Sequence, residues 1–72
     1  MTRNTKELRE LADWSQYKLS SKTGIDRTRL SFIENGHVIP SPEEQARIEK
    51  VLLTEIARRA AEFRAVVAGT AD

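Results

Sequence analysis

Between Asp26 and Gly36 lies the stretch whose side chains could do chemistry, and the chemistry is recognition rather than catalysis. Set on a helix at about 100° per residue, Leu30 and Ile33 point one way, while Thr28, Ser31, Phe32 and Asn35 lie on roughly the opposite side. The outward face carries hydroxyls, an amide and an aromatic ring, flanked by Arg27 and Arg29. It holds no carboxylate, because Glu34 projects back toward the apolar side. Turning Phe32 inward would expose Leu30 and Ile33, and two aliphatic side chains outweigh one ring. A face of this kind suits a polyanion with readable edges.

The elements that position this face can be read on either side of a short corner. Ser15 is an N-cap for a helix whose first turn is Gln16, Tyr17 and Lys18, and Gly24 can take the positive φ that ends it. Asp26 then caps the second helix, leaving only Gly24 and Ile25 to turn the corner. So tight a connection predicts a steep, rigid helix pair.

These residues resemble a known family. Ser15-Gln16, Leu19, Ser20, Gly24-Ile25, Leu30-Ser31 and Ile33-Glu34-Asn35-Gly36 are similar to the helix-turn-helix of the phage repressor and Cro family of bacterial DNA-binding regulators. The resemblance extends from about Leu8 to about Leu52 and includes Pro40-Ser41 at the start of the next helix. Three positions depart from the family pattern. Ser20 stands where alanine is usual, Asp13 where a turn glycine is common, and Trp14 replaces a smaller apolar residue.

Upstream of the corner, Thr5 to Asp13 reads as a first helix capped by Asn4 or Thr5, with Leu8, Leu11 and Ala12 at the spacing of an inward stripe. Trp14 is expected to continue that stripe into the core, a structural role being the ordinary one for a lone tryptophan and base stacking the alternative. Downstream, His37-Val38-Ile39-Pro40 is a loop. Ser41, Pro42 and Glu44 then form a helix start of N-cap, first-turn proline and capping box. Ala46, Ile48, Val51 and Leu52 are the apolar positions expected to cover the far side of the core.

From Leu53 to Ala68 there is no glycine or proline, and Leu53, Ile56, Ala60, Phe63 and Val67 recur at alternating intervals of three and four residues. This seam either folds back as a fifth helix over the monomer core or pairs with the same helix of a second copy. A combination is expected, with Ile56, Ala60, Phe63 and Val67 as the dimerisation positions, because the seam outruns what a small core can use. Gly69 to Asp72 is expected to fray.

Size and composition bound the rest. A chain of 72 residues forms one domain, and a domain of that size buries only about 60% of its unfolded surface, so a second copy is a natural source of stability. There is no cysteine and one histidine, which removes thiolate metal sites, disulfides and the usual nucleophilic schemes; no Gly-rich phosphate loop is present, so neither cofactor nor metal nor enzymatic activity is expected. The N-terminal MTRNTKELRE lacks the apolar stretch of a signal peptide, and no run approaches the roughly 20 apolar residues of a membrane span. A soluble, cytoplasmic protein is expected. The net charge of +1 excludes an argument from bulk basicity; residues 1–37 hold seven Lys or Arg against five carboxylates, a balance of +2, and the remainder holds five against six.

The resemblance implies an all-α, compact five-helix DNA-binding domain of the lambda-repressor kind, with the helix-turn-helix at 15–36 and an extended C-terminal helix at about 53–68. In the family the second helix of the pair enters the major groove of double-stranded DNA. Carried over by position, Arg27, Thr28 and Phe32, with Ser31 beside them, are the base-reading candidates; Gln16 and Asn35 match backbone-contacting positions, and Arg29, Lys18 and His37 lie at the edges for phosphate. Arg9 and Glu34 match a family salt bridge. The implied activity is that of a small homodimeric repressor on an inverted repeat. Alternatives are an antitoxin that represses its own operon and binds a toxin, a regulator that touches polymerase, and a helical protein-interaction module without DNA binding.

Overall fold

A computed structural model describes residues 4–70. Its elements are α1 (Thr5–Leu11), α2 (Gln16–Thr23), α3 (Arg27–Glu34) and α4 (Pro42–Thr70), with no strand among the described residues. Each helix begins where a side chain satisfies an orphan amide. Asn4 Oδ1 accepts from the Glu7 N–H at 2.8 Å, Ser15 Oγ from Lys18 at 3.0 Å, and Asp26 Oδ2 from Thr28 at 3.0 Å. At the start of α4 the capping box is closed in both directions: the Glu44 N–H donates to Ser41 Oγ at 3.2 Å and the Ser41 N–H to Glu44 Oε1 at 2.9 Å.

The corners before and after α2 need left-handed backbone. Gly24 ends α2 at φ +75°, and Asp13, at the position where a glycine is common, takes φ +59°. The first helix therefore stops at Leu11, short of Asp13, with Ala12 as its cap. Ser20 does more at the α2–α3 corner than an alanine would, since its hydroxyl donates to the Ile25 carbonyl at 2.6 Å. From α4, Arg47 Nη1 donates to the Thr23 carbonyl at 3.3 Å and so closes the C-terminal end of α2.

The expected fifth helix is not a separate element. Residues 42–70 form one continuous helix of 29 residues, giving four helices rather than five. The physical reason is that nothing between Leu52 and Leu53 breaks a helix, and Ile48, Leu52 and Ile56 share one face across the expected boundary. At 1.5 Å per residue α4 is about 43 Å long, and it sets the 50 Å long axis of a molecule that is otherwise 27 by 19 Å.

Every helix contributes to the core of Ala12, Leu19, Ile25, Leu30, Ile48 and Leu52, with Leu8, Trp14, Val51 and Ile56 packed against it. Ile33 is buried beside them. Two expected core positions lie outside. Leu11 is 49% exposed because Ala12, about 100° round the helix, is the residue that faces inward. Ala46 is exposed for a similar reason, lying about 200° round α4 from Ile48.

Candidate nucleic-acid interface

The outward side of α3 and the start of α2 meet in an open groove of about 460 Å³ lined by Gln16, Arg27, Thr28, Ser31 and Phe32. Leu30 and Ile33 are buried, which fixes the rotation of α3 and leaves Thr28 and Phe32 exposed, Phe32 by 46%. Arg27 is exposed and makes no ion pair among the described residues, so its planar fork of donors is available.

Glu34, behind this groove, anchors the Gln16 side chain that lines it. Its carboxylate, 2% exposed, accepts from Arg9 Nε at 2.8 Å and Arg9 Nη2 at 3.0 Å, and Arg9 Nη1 donates to the Trp14 carbonyl at 2.8 Å. Gln16 Nε2 donates to the same carboxylate at 3.2 Å. Three elements are thereby fastened at one point: α1 through Arg9, α2 through Gln16 and α3 through Glu34. Hydrogen bonding to Glu34 raises the Arg9 pKa above its ordinary value despite partial burial.

The remaining expected contacts sit around the rim. Asn35 caps the end of α3, with its Nδ2 3.4 Å from Ser31 Oγ. His37 stands edge-on to Phe32, with ring centroids 6.2 Å apart and an interplanar angle of 84°, and its backbone N–H donates to the Phe32 carbonyl at 2.8 Å. Lys18 is exposed, and its ammonium lies 5.3 Å from the centre of the Trp14 ring, a cation–π arrangement. Trp14 is half-buried against the core.

Arg29, expected at the edge for phosphate, is paired with a carboxylate in the structure. Its Nε donates to Glu44 Oε2 at 2.6 Å and its Nη2 to Glu44 Oε1 at 2.8 Å, which ties α3 to the first turn of α4. The Arg29 fork, aided by the Ser41 N–H, holds the Glu44 carboxyl down at about 2. Sequence reasoning missed this pair, the Gln16–Glu34 bond and the Lys18–Trp14 contact. The signal for the first was present, since Glu44 was already fixed by its capping role in a turn adjacent to α3.

Away from the groove, Ile56 is half-buried while Ala60, Phe63 and Val67 are exposed, Phe63 by 70%. Arg58 bridges Glu55 and Glu62, and Arg59 also bonds Glu55. Arg58 chiefly, with Arg59, holds the Glu55 carboxyl at about 2. Among the described residues no group of His, Cys, Asp and Glu is arranged to hold a metal ion, and no helix is long and apolar enough to cross a membrane.

A family model described as helix-turn-helix matches residues 6–58, which covers most of the chain. The chain belongs to this helix-turn-helix family. That agrees with the Cro- and repressor-like pattern of residues 15–36 and makes the protein a member of a DNA-binding, regulatory family. No curated protein and no solved structure matches it. In this helix-turn-helix protein α2 and α3 are the motif's two helices, and the open groove lies along the solvent side of the second.

Proposed function

We propose that the protein is a small repressor that binds an inverted-repeat operator as a homodimer, each copy laying α3 in the major groove of double-stranded DNA. The observation that carries this is the outward face of α3: an unpaired arginine, two hydroxyls and a half-exposed ring without a carboxylate, on a helix fixed by Glu34.

Arg27 forks onto the O6 and N7 of a guanine, a contact that discriminates by about 1–3 kcal/mol; Phe32 presses on a thymine methyl; Thr28 and Ser31 add weaker hydrogen bonds. Gln16, Asn35, Lys18 and His37 meet the phosphate backbone and set the depth of insertion, while Arg29 reaches it only by leaving Glu44. Three or four base-reading side chains fall short of the ~10³ or greater specificity a regulator needs, and a twofold pair supplies the second half-site. The dimer forms through Ile56, Ala60, Phe63 and Val67 of α4. Occupation of the operator then excludes polymerase sterically.

Selection of bound sequences from a random duplex pool tests the reading. The expected result is an inverted repeat bound with steep salt dependence, and weakened at least tenfold by Arg27→Ala and by Phe32→Ala. No enrichment, or unchanged affinity in both variants, overturns it.

A further inference from the structure

The core-facing side of α4 does not stop where the core stops. At about 100° per residue Ile48, Leu52, Ile56 and Phe63 fall within a sector of about 80°, yet Leu52 is fully buried and Phe63 is 70% exposed. The apolar stripe runs on along the C-terminal part of the helix, through the exposed Ala60, Phe63 and Val67. The dimer reading above assigns a second copy to this stripe, and the present inference rests on that reading. The stripe's residue sizes and flanking charges go further and choose the direction of pairing.

We infer that two copies pair through antiparallel α4 helices that cross at the level of Ala61 and Glu62, with Ala60 of each opposite Phe63 of the other. In heptad terms Leu53, Ala60 and Val67 occupy one core position and Ile56 and Phe63 the other. An antiparallel pair brings unlike core positions into the same layer. Its layers are Ile56 with Val67 and Ala60 with Phe63, each occurring twice by symmetry. Every layer then joins a larger side chain to a smaller one, the pattern that fills space evenly.

A parallel pair brings like positions together. Ala60 faces Ala60 and leaves a gap, and the next layer crowds Phe63 against Phe63. The flanking charges oppose the parallel pair as well. It would set Arg59 of one helix beside Arg64 of the other, twice, in the positions where coiled coils normally place opposite charges. In the antiparallel pair these arginines lie on opposite sides of the seam, and Arg59 keeps its Glu55 partner at 2.9 Å.

The geometry also fits the proposed target in scale. With 1.5 Å per residue, a crossing between Ala61 and Glu62 puts the two Ile48 levels about 40 Å apart along the helices. Ile48 packs in the core that Leu30 of α3 shares, and one turn of B-DNA spans about 34–36 Å.

The chain contains no cysteine, so single labels are clean. Ala61→Cys and Ala68→Cys, both exposed and outside the seam, are each made in the full chain and carry a nitroxide for pulsed dipolar distance measurement, with sedimentation at the same concentration. An antiparallel pair sets the two labels at residue 61 almost level and those at residue 68 about 20 Å apart along the axis. The expected result is a dimer in which the distance at 68 exceeds that at 61 by about 10 Å. Equal distances at the two sites mean a parallel pair and overturn the inference while the dimer stands. Long distances at both sites mean that another surface pairs, which also overturns it. A monomer with no dipolar signal overturns the inference and the dimer reading together.

Discussion

Arg29 offers a quantitative test of which charges DNA meets. In the free protein its guanidinium is forked onto Glu44 by hydrogen bonds of 2.6 and 2.8 Å, so a phosphate must compete with a carboxylate for the same donors. Glu44→Gln removes the charge but keeps the cap, because a glutamine at this position can still accept from the Ser41 N–H. One additional neutralised phosphate steepens the slope of log K against log salt by about 0.9. Between about 50 and 200 mM salt that slope amounts to roughly a 3.5-fold further loss of affinity. Fluorescence anisotropy with a selected duplex measures it. In the parent, Arg29→Ala is expected to leave the slope unchanged; Glu44→Gln steepens it by about 0.9 per half-site and tightens binding at low salt; the double variant returns to the parental slope. A parent slope that flattens by that amount on Arg29→Ala refutes the reasoning, because Arg29 would then already reach a phosphate past Glu44.

Other perturbations have equally definite outcomes. Glu34→Ala strips Arg9 and Gln16 of their shared acceptor and leaves a mostly buried guanidinium without its carboxylate; the expected loss is about 3 kcal/mol, read as a fall of more than about 10 °C in thermal midpoint. Gly24→Ala meets no atom within 4 Å but forces φ +75° on a residue with a Cβ, so it costs about 1 kcal/mol by urea titration with helix content unchanged. The carboxyls of Glu44 and Glu55 are held at about 2 in the folded chain against an ordinary 4.5. Because their folded values are depressed, the stability they give is full above about pH 4.5 and is lost as pH falls toward 2. Urea midpoints measured across that window decline, and Glu55→Gln makes the decline shallower.

Local chemistry was the legible part of this fold. The caps at Asn4, Ser15, Asp26 and Ser41, the glycine at the corner and the inward Leu30 and Ile33 all follow from side chains acting on backbone within a few residues. The start of the expected fifth helix, by contrast, has no mark in the residues: periodicity shows a helical seam from Leu53 onward, but no breaker separates Leu52 from Leu53. Leu11 and Ala46 were misplaced because spacing alone leaves the centre of an apolar stripe undetermined until a neighbour fixes it. For the groove, the direction in which Thr28 and Phe32 point was readable from periodicity. The partners of Arg29, Gln16 and Lys18 were not. Long side chains choose among several acceptors and ring faces, and that choice depends on how the helices pack, which periodicity does not encode.

The meeting of Arg9, Gln16 and Glu34 has a consequence for whatever α3 touches. Tilting that helix means pulling a carboxylate out of a nearly closed setting, so small reorientations are expensive for the protein. In the proposed complex, misfit between α3 and a particular duplex is then absorbed by the duplex, through bending, twisting or a change in groove width. Base steps that never contact a side chain thereby acquire a say in affinity, and their stiffness becomes part of the address.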